Sequence, residues 1–401
     1  MRTISADQRK KLTGEGIHGA DKFICSERIV TVGRSGHPMD QQREVWIMIT
    51  DKQKLSALAE QIVNGITSEN NPAVFTGRGK KHYMEAWDWF QGVALFGLYE
   101  YYRSTKSKEV FAYLIKWFDE HIEEGLPEKN VNSMCPLLTL SYLYEETGKK
   151  EYLDICREWV AYAINELPRT TENGFQHKTI DSMNYMQLWD DTLYMTVLFV
   201  ARMGTLTGND SLIQESIRQF LVHIKYLSDP VTGLFRHGFN FDGRTYYAGA
   251  LWGRGNAWYT AGLVDYLDMA VVPDGVKWFL ISSLQRQIDA LMRYQDTEGM
   301  WHTLVNEPES SYAESSATAG FAYGILKAAR LGYIDRSCEA YGLKALDAIL
   351  KRIDGDGILT GVSAGTCLMD TLDGYRNIPI NAQPYGQSMA LLLIMEALHR
   401  L

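Results

Sequence analysis

At 401 residues, 46% of them hydrophobic and 12% aromatic, the chain is long and apolar enough to bury a large core, which excludes a disordered protein. A formal net charge of -9 with no basic run argues against nucleic acid as a partner. No apolar stretch reaches the roughly 18 residues of a membrane span, and the opening MRTISADQRKKLTGEG lacks the apolar segment of a signal peptide. The five cysteines, Cys25, Cys135, Cys156, Cys338 and Cys367, are scattered and form no CxxC, the pattern of reduced thiols in a cytoplasmic protein.

Residues 1–50 carry no helical periodicity and predict an irregular arm. From there two kinds of helical segment alternate. Residues 54–66, 108–122, 150–166, 211–227, 276–294 and 338–353 are amphipathic, with charges on one face. Residues 91–105, 135–147, 192–207, 256–270, 318–331 and 388–400 are small, apolar and aromatic around most of their circumference, as in helices buried on nearly every side. Such an alternation predicts an all-α fold over 51–401, an (α/α)6 barrel with the buried set inside. Gly148 and Gly208 stand where one set of links must turn tightly, and ENGFQH, VTGLFRH, TEGMWH and GDGILTG supply Asn, Asp and Gly for reversals in the other.

In such a barrel the segments just before the inner helices share one mouth. They read EAWDWFQG, KNVNSMC, LWDDT, LWGRGNAW, SYAESSATAG and NAQPYGQS. Trp87, Trp89, Trp189, Trp252, Trp258 and Trp301 fall in these segments or the turns feeding them, with His177, His237 and His302. Aromatic faces mixed with a few polar groups suit a sugar, and converging helix N-termini with Arg254 favour an anionic one. Each residue also has a plainer reading. Asp191 suits a helix N-cap, the tryptophans a core, the histidines backbone hydrogen bonds, and Arg254 the carbonyls of a neighbouring loop.

Ordinary glycoside hydrolysis takes two carboxyl groups about 5 to 9.5 Å apart, and the mouth offers Asp88, Asp190, Asp191 and Glu314. One acid acting alone suits protonation of an activated double bond followed by water. No HExxH, GxSxG, phosphate loop or dinucleotide fingerprint is present, so neither a metal nor an organic cofactor is expected.

The ordered motifs WDWFQG, NVNS, GFQH, LWDDTLYM, GLFRHG, WGRGNAW, RYQDTEGMWH and ESSATAG resemble those of the unsaturated rhamnogalacturonyl hydrolases, glycoside hydrolase family 105. More distantly they resemble the unsaturated glucuronyl hydrolases of family 88, and the likeness spans residues 50–401. It implies an (α/α)6 barrel that hydrates the 4,5-unsaturated uronate left by polysaccharide lyases, without metal. By position it places the general acid on Asp191 and the substrate-binding residues on Trp89, Asn132, His177, Trp189, His237, Arg254 and Trp258. Some members carry an aspartate where this chain has Asn132, which cannot relay a proton. For the acid role Asp191 must hold its proton near neutral pH; burial beside Trp189 and the charge of Asp190 raise its proton affinity, while the helix N-terminus and a nearby Arg254 lower it, and the balance is set by the tertiary structure. The alternatives are a two-carboxylate hydrolase pairing Asp191 with Asp88 or Glu314, a sugar epimerase using histidines, and a helical-repeat binding scaffold. The expected partner is a small anionic oligosaccharide.

Overall fold

Two kinds of helix alternate in the structure because two hydrophobic patterns alternate in the sequence. The computed structural model describes residues 51–68 and 84–401, so the arm expected at 1–50 lies outside the described residues. By its contacts the chain divides after Arg43, and every described residue belongs to the second unit, Glu44–Leu401. In chain order the helices are α1 (Lys52–Thr67), α2 (Trp89–Thr105), α3 (Lys108–Glu124), α4 (Cys135–Thr147), α5 (Lys150–Asn165), α6 (Leu198–Thr207), α7 (Asp210–Leu227), α8 (Gly253–Met269), α9 (Asp274–Tyr294), α10 (Ser315–Arg330), α11 (Glu339–Leu350), α12 (Leu372–Arg376) and α13 (Pro384–Leu398). Two short strands, β1 (Gln187–Trp189) and β2 (Gly238–Asn240), pair antiparallel with Trp189 opposite Gly238.

The outer helices start where a side chain satisfies free amides. Asp51 accepts from Gln53 N and Lys54 N, Ser107 from Val110 N, and Asn209 from Ser211 N. The inner helices α4 and α6 end on Gly148 and Gly208 in the left-handed region, φ 68° and 63°, which a residue with a Cβ enters only at a cost. Helix α8 is buried continuously from Gly253 to Leu267 and α13 from Pro384 to Ala397, as apolar surroundings on all sides require.

Helix α2 packs on α4, α4 on α6, α6 on α8, α8 on α10, α10 on α13, and α13 returns to α2. That closed ring, with α1, α3, α5, α7, α9 and α11 outside it, is an (α/α)6 barrel. Helices α8, α10 and α13 begin three or four residues earlier than expected, at Gly253, Ser315 and Pro384. Glycine and proline lower local helix propensity, but proline is favoured in a first turn, and packing overrides the rest. Among the described residues no helix is long and apolar enough to cross a membrane.

One end of the ring is stitched by backbone hydrogen bonds between segments distant in sequence. Val131 N donates to Lys178 O, His177 N to Gln187 O, Asp190 N to His237 O, and His237 N to Ala250 O. The series continues with Gly253 N to Thr303 O and Ser315 N to Gly361 O. These bonds join the segments that precede the inner helices, so they form the mouth.

Candidate active site

Asp191 sits between β1 and the start of α6. The strand pairing, extended by the Asp190 N to His237 O bond of 3.0 Å, brings His237 alongside, and its Nε2 lies 3.2 Å from Asp191 Oδ2. No side-chain cap hydrogen bond closes the first turn of the helix beyond it, so the N-cap reading of Asp191 does not hold. That first turn, Leu193–Val197, is a π-helix, an insertion common at functional sites. Thr196 Oγ1 bonds Val131 O at 3.0 Å and so fastens this turn to the segment carrying Asn132.

Around Asp191 the rings interlock. His177 stacks flat on Trp189 at 4.2 Å and 7°, with its Nδ1 2.8 Å from Thr192 Oγ1. Trp189 meets the edge of His237 at 5.3 Å, and His237 leans on Trp252 at 4.3 Å. Arg254 lies between the rings of Trp252 and Tyr385, 4.5 and 4.9 Å away. Trp89 stacks on Tyr385 at 4.7 Å and stands edge-on to Trp258 at 6.1 Å, while Trp258 tilts on Tyr194 at 4.9 Å. Asp191, His177, Trp189, His237, Arg254, Trp258 and Trp89 thus belong to one connected group at the mouth. Asn132 is half-buried in the neighbouring segment, and its side-chain amide makes no hydrogen bond among the described residues.

Several expectations change. The Asp191 side chain keeps 11% of its exposure, while His237 keeps 1% and Asp190 is sealed at 0%. Asp191 is the member of this group in contact with the mouth, and its neighbours form the wall. Burial by itself raises the Asp191 carboxyl, but the hydrogen bond from His237 and the nearby imidazoles outweigh it, so Asp191 is lowered rather than raised. The raised acid is Asp190, lifted well above the usual range by burial and then by the charge of Asp191. The Asp190 carboxyl lies against that of Asp191, so the two acids share one buried, coupled environment. Burial lowers His177 to about 4, leaving it neutral at ordinary pH.

Arg254 was expected to grip a uronate carboxylate. Instead Nη1 donates to Ser363 O at 2.9 Å and to Ser363 Oγ, and Nη2 to Ala364 O at 2.8 Å and Thr366 Oγ1 at 3.0 Å. All four terminal N–H groups hold the 363–366 loop, so the plainer reading of this residue is the one the geometry supports. Glu314 and Asp88, the partners of a two-carboxylate scheme, are engaged as helix caps. Glu314 accepts from Ala317 N at 2.6 Å and Ser363 N at 2.8 Å, and Asp88 from Trp89 N at 2.7 Å. Trp87 and Trp301 are core plugs, with their indole N–H groups on Ser133 O and Leu291 O, and His302 is tied to Ser311 O and Asp296.

Sequence reasoning missed Tyr375, whose hydroxyl lies 2.7 Å from His237 Nδ1; it stands in LDGYR, a stretch without periodicity that would place it near the mouth. Tyr385 lay inside a quoted junction and was visible as an aromatic there. Asp190, Asp191 and His237 bring one atom each within 4.8 Å of one another, close enough to surround a cation. With Nδ1 engaged by Tyr375 and Nε2 by Asp191, however, the imidazole has no lone pair to spare, and the trio reads as a proton-sharing group.

A closed ring of helical hairpins whose mouth gathers a carboxyl, two imidazoles and several indoles is the architecture of a carbohydrate-cleaving barrel. The family model Glycosyl Hydrolase Family 88 matches residues 63–401, and the chain belongs to that family of glycoside hydrolases. It is 35% identical over 317 residues to unsaturated rhamnogalacturonyl hydrolase YesR of Bacillus subtilis, covering 78% of this chain and 90% of that one. A crystal structure of a possible GH105 family member from Salmonella enterica serovar Paratyphi A superposes with a TM-score of 0.83 at 40% identity, over 87% of this chain and 95% of that one. The unsaturated glucuronyl hydrolase of Bacillus sp. GL1 shares the fold, with a TM-score of 0.66 at 17% identity over 87% of this chain and 96% of that one.

Proposed function

We propose that the protein is an unsaturated rhamnogalacturonyl hydrolase, removing a 4,5-unsaturated uronate from the non-reducing end of oligosaccharides made by a lyase. The observation that carries this reading is the carboxylate inventory at the mouth. Asp191 keeps contact with it, Asp190 is sealed with its proton affinity raised by burial, and Asp88 and Glu314 are engaged with the amides that open helices. One acid suits hydration of a vinyl ether better than direct displacement of a sugar, which takes two. The likeness to YesR supports the same substrate class.

In this reading Asp191 acts first as acid. The incoming uronate carboxylate adds negative charge beside it, which raises its proton affinity from the lowered value that the imidazoles impose. Asp191 then gives its proton to C4, and the double-bond electrons move so that the cation at C5 is shared with the ring oxygen. Water adds at C5 and loses a proton to the Asp191 carboxylate, restoring the acid. The C5 hemiketal opens to a ketone, and the hemiacetal left at C1 expels the shortened sugar. Trp89, Trp189 and Trp258 supply faces for the ring, the Asn132 amide a donor and acceptor for a hydroxyl, and the helix N-termini the field that draws the anion. Arg254 serves by fixing the 363–366 loop. His177, stacked on Trp189, holds one wall. The unpaired state of Cys135, Cys156, Cys338 and Cys367 supports a cytoplasmic place of work.

The test is loss of the conjugated uronate's ultraviolet absorbance on lyase-generated disaccharides, compared with saturated analogues, which should not react. Asp191→Asn should fold and lose activity by a factor on the order of 10² to 10⁴, the range general acid catalysis supplies. Wild-type rates in that variant remove Asp191 from the mechanism.

A further inference from the structure

Behind His237 a small apolar cluster of Ala250, Trp252, Leu304, Tyr375 and Ile378 packs apart from the main core. Tyr375, 1% exposed, is carried by α12, a short helix capped by Thr371, whose side chain accepts from Gly374 N. Arg376 ties the same helix to Glu307. Packing alone does not call for a hydroxyl here, since a phenylalanine fills nearly the same volume. The hydroxyl nevertheless makes two hydrogen bonds, one 3.4 Å from Met369 N and one 2.7 Å from His237 Nδ1.

Those partners set a direction. A backbone N–H only donates, so the phenol oxygen accepts from Met369, and the buried O–H, which needs an acceptor of its own, finds it in His237 Nδ1. A neutral imidazole that accepts on Nδ1 carries its proton on Nε2, the atom 3.2 Å from Asp191 Oδ2. The chain runs in one sense from amide to phenol to imidazole to carboxyl, through side chains almost wholly removed from water.

We propose that Tyr375 is a positioning residue for the acid: by donating to Nδ1 it fixes the tautomer and ring plane of His237, keeping Nε2–H aimed at Asp191. The inference rests on Asp191 being the acid, as proposed above. Its consequence is a choice of oxygen. With Oδ2 held as an acceptor of Nε2–H, the proton that Asp191 gives to substrate rides on Oδ1. In the opposite tautomer Nε2 presents a lone pair, and a protonated Asp191 would turn its O–H to the imidazole and away from the substrate.

Tyr375→Phe keeps the ring and removes the hydroxyl. With an unchanged circular dichroism spectrum, it should lower kcat by on the order of 10- to 10²-fold, the cost of misplacing a reacting group by about 1 Å, while KM stays within about twofold. NMR of the protein carrying isotope-labelled histidine gives a second readout that packing alone would not move. Wild-type His237 should be the Nε2–H tautomer, and Tyr375→Phe should populate the other. Wild-type kcat in the folded variant overturns the proposal, and so does an Nδ1–H tautomer in the wild-type protein, a measurement that decides even where the variant fails to fold. Wild-type activity in Asp191→Asn would instead overturn the functional reading and leave the tautomer result standing, so the two failures are distinguishable.

Discussion

Arg254 lies between two aromatic rings with its terminal nitrogens on Ser363, Ala364 and Thr366, and its role follows from that inventory. Removing the guanidinium leaves buried carbonyl oxygens without donors, which costs far more than the net value of the bonds themselves. Arg254→Ala should therefore destabilise the protein by about 2 to 4 kcal/mol, read from the denaturant midpoint. It should also reduce kcat/KM equally on an unsaturated uronide and on its methyl ester, because the loss comes through the loop. A larger loss on the free acid would restore a direct grip on the carboxylate. The arginine was visible in the motif WGRGNAW, but the loop that claims it begins 109 residues away.

At the scale of elements, the first turn of α8 illustrates why a helix carries residues that disfavour it. A Cβ on Gly255 would come within 2.2 Å of Asp190 Oδ2, so the glycine makes room for a buried carboxyl against the helix. Gly255→Ala gains helix propensity of up to about 1 kcal/mol and forces Asp190 out of its niche, an overpacking cost of about 1 to 3 kcal/mol. The second effect wins, and the variant should melt at a lower temperature than wild type. Adding Asp190→Ala should recover part of the loss, because the clashing oxygens are gone; no recovery would place the strain elsewhere. Residues of low helix propensity at the first turns of α8, α10 and α13 put the expected starts three or four residues late, and packing supplies the difference.

For the whole molecule, the collar of backbone bonds between successive hairpins makes the mouth a cooperative unit, and two fully buried histidines report on it. Burial lowers both His177 and His223 to about 4, against a usual value near 6.5. A depressed histidine contributes stability that is fully present above the unfolded value and lost as pH falls toward the folded one. The histidine share of the stability should be flat above about pH 6.5 and fall between there and about pH 4, each histidine contributing on the order of 3 kcal/mol across that window, while the raised carboxyl of Asp190 acts in the opposite sense as pH rises. His223→Gln should flatten the fall; an unchanged pH profile would mean that the imidazole is solvated.

The alternation of apolar and amphipathic segments, read from residues 91–105 and 108–122 onward, was sufficient for the barrel, because helix burial is a local consequence of which faces are apolar. The same reading gathered Trp89, Asn132, His177, Trp189, Asp191, His237, Arg254 and Trp258 to one end, since the order of elements in a ring places every inner N-terminus together. What sequence did not determine is which of these groups touch one another. That Asp190 and not Asp191 is the raised acid depends on an imidazole donor delivered by the pairing of β1 with β2. That His237 has a tautomer lock depends on Tyr375, 138 residues further on. Proton affinity and hydrogen-bond direction are set by neighbours within a few ångströms, and in a ring of hairpins those neighbours come from different turns of the ring, which only the tertiary structure brings together.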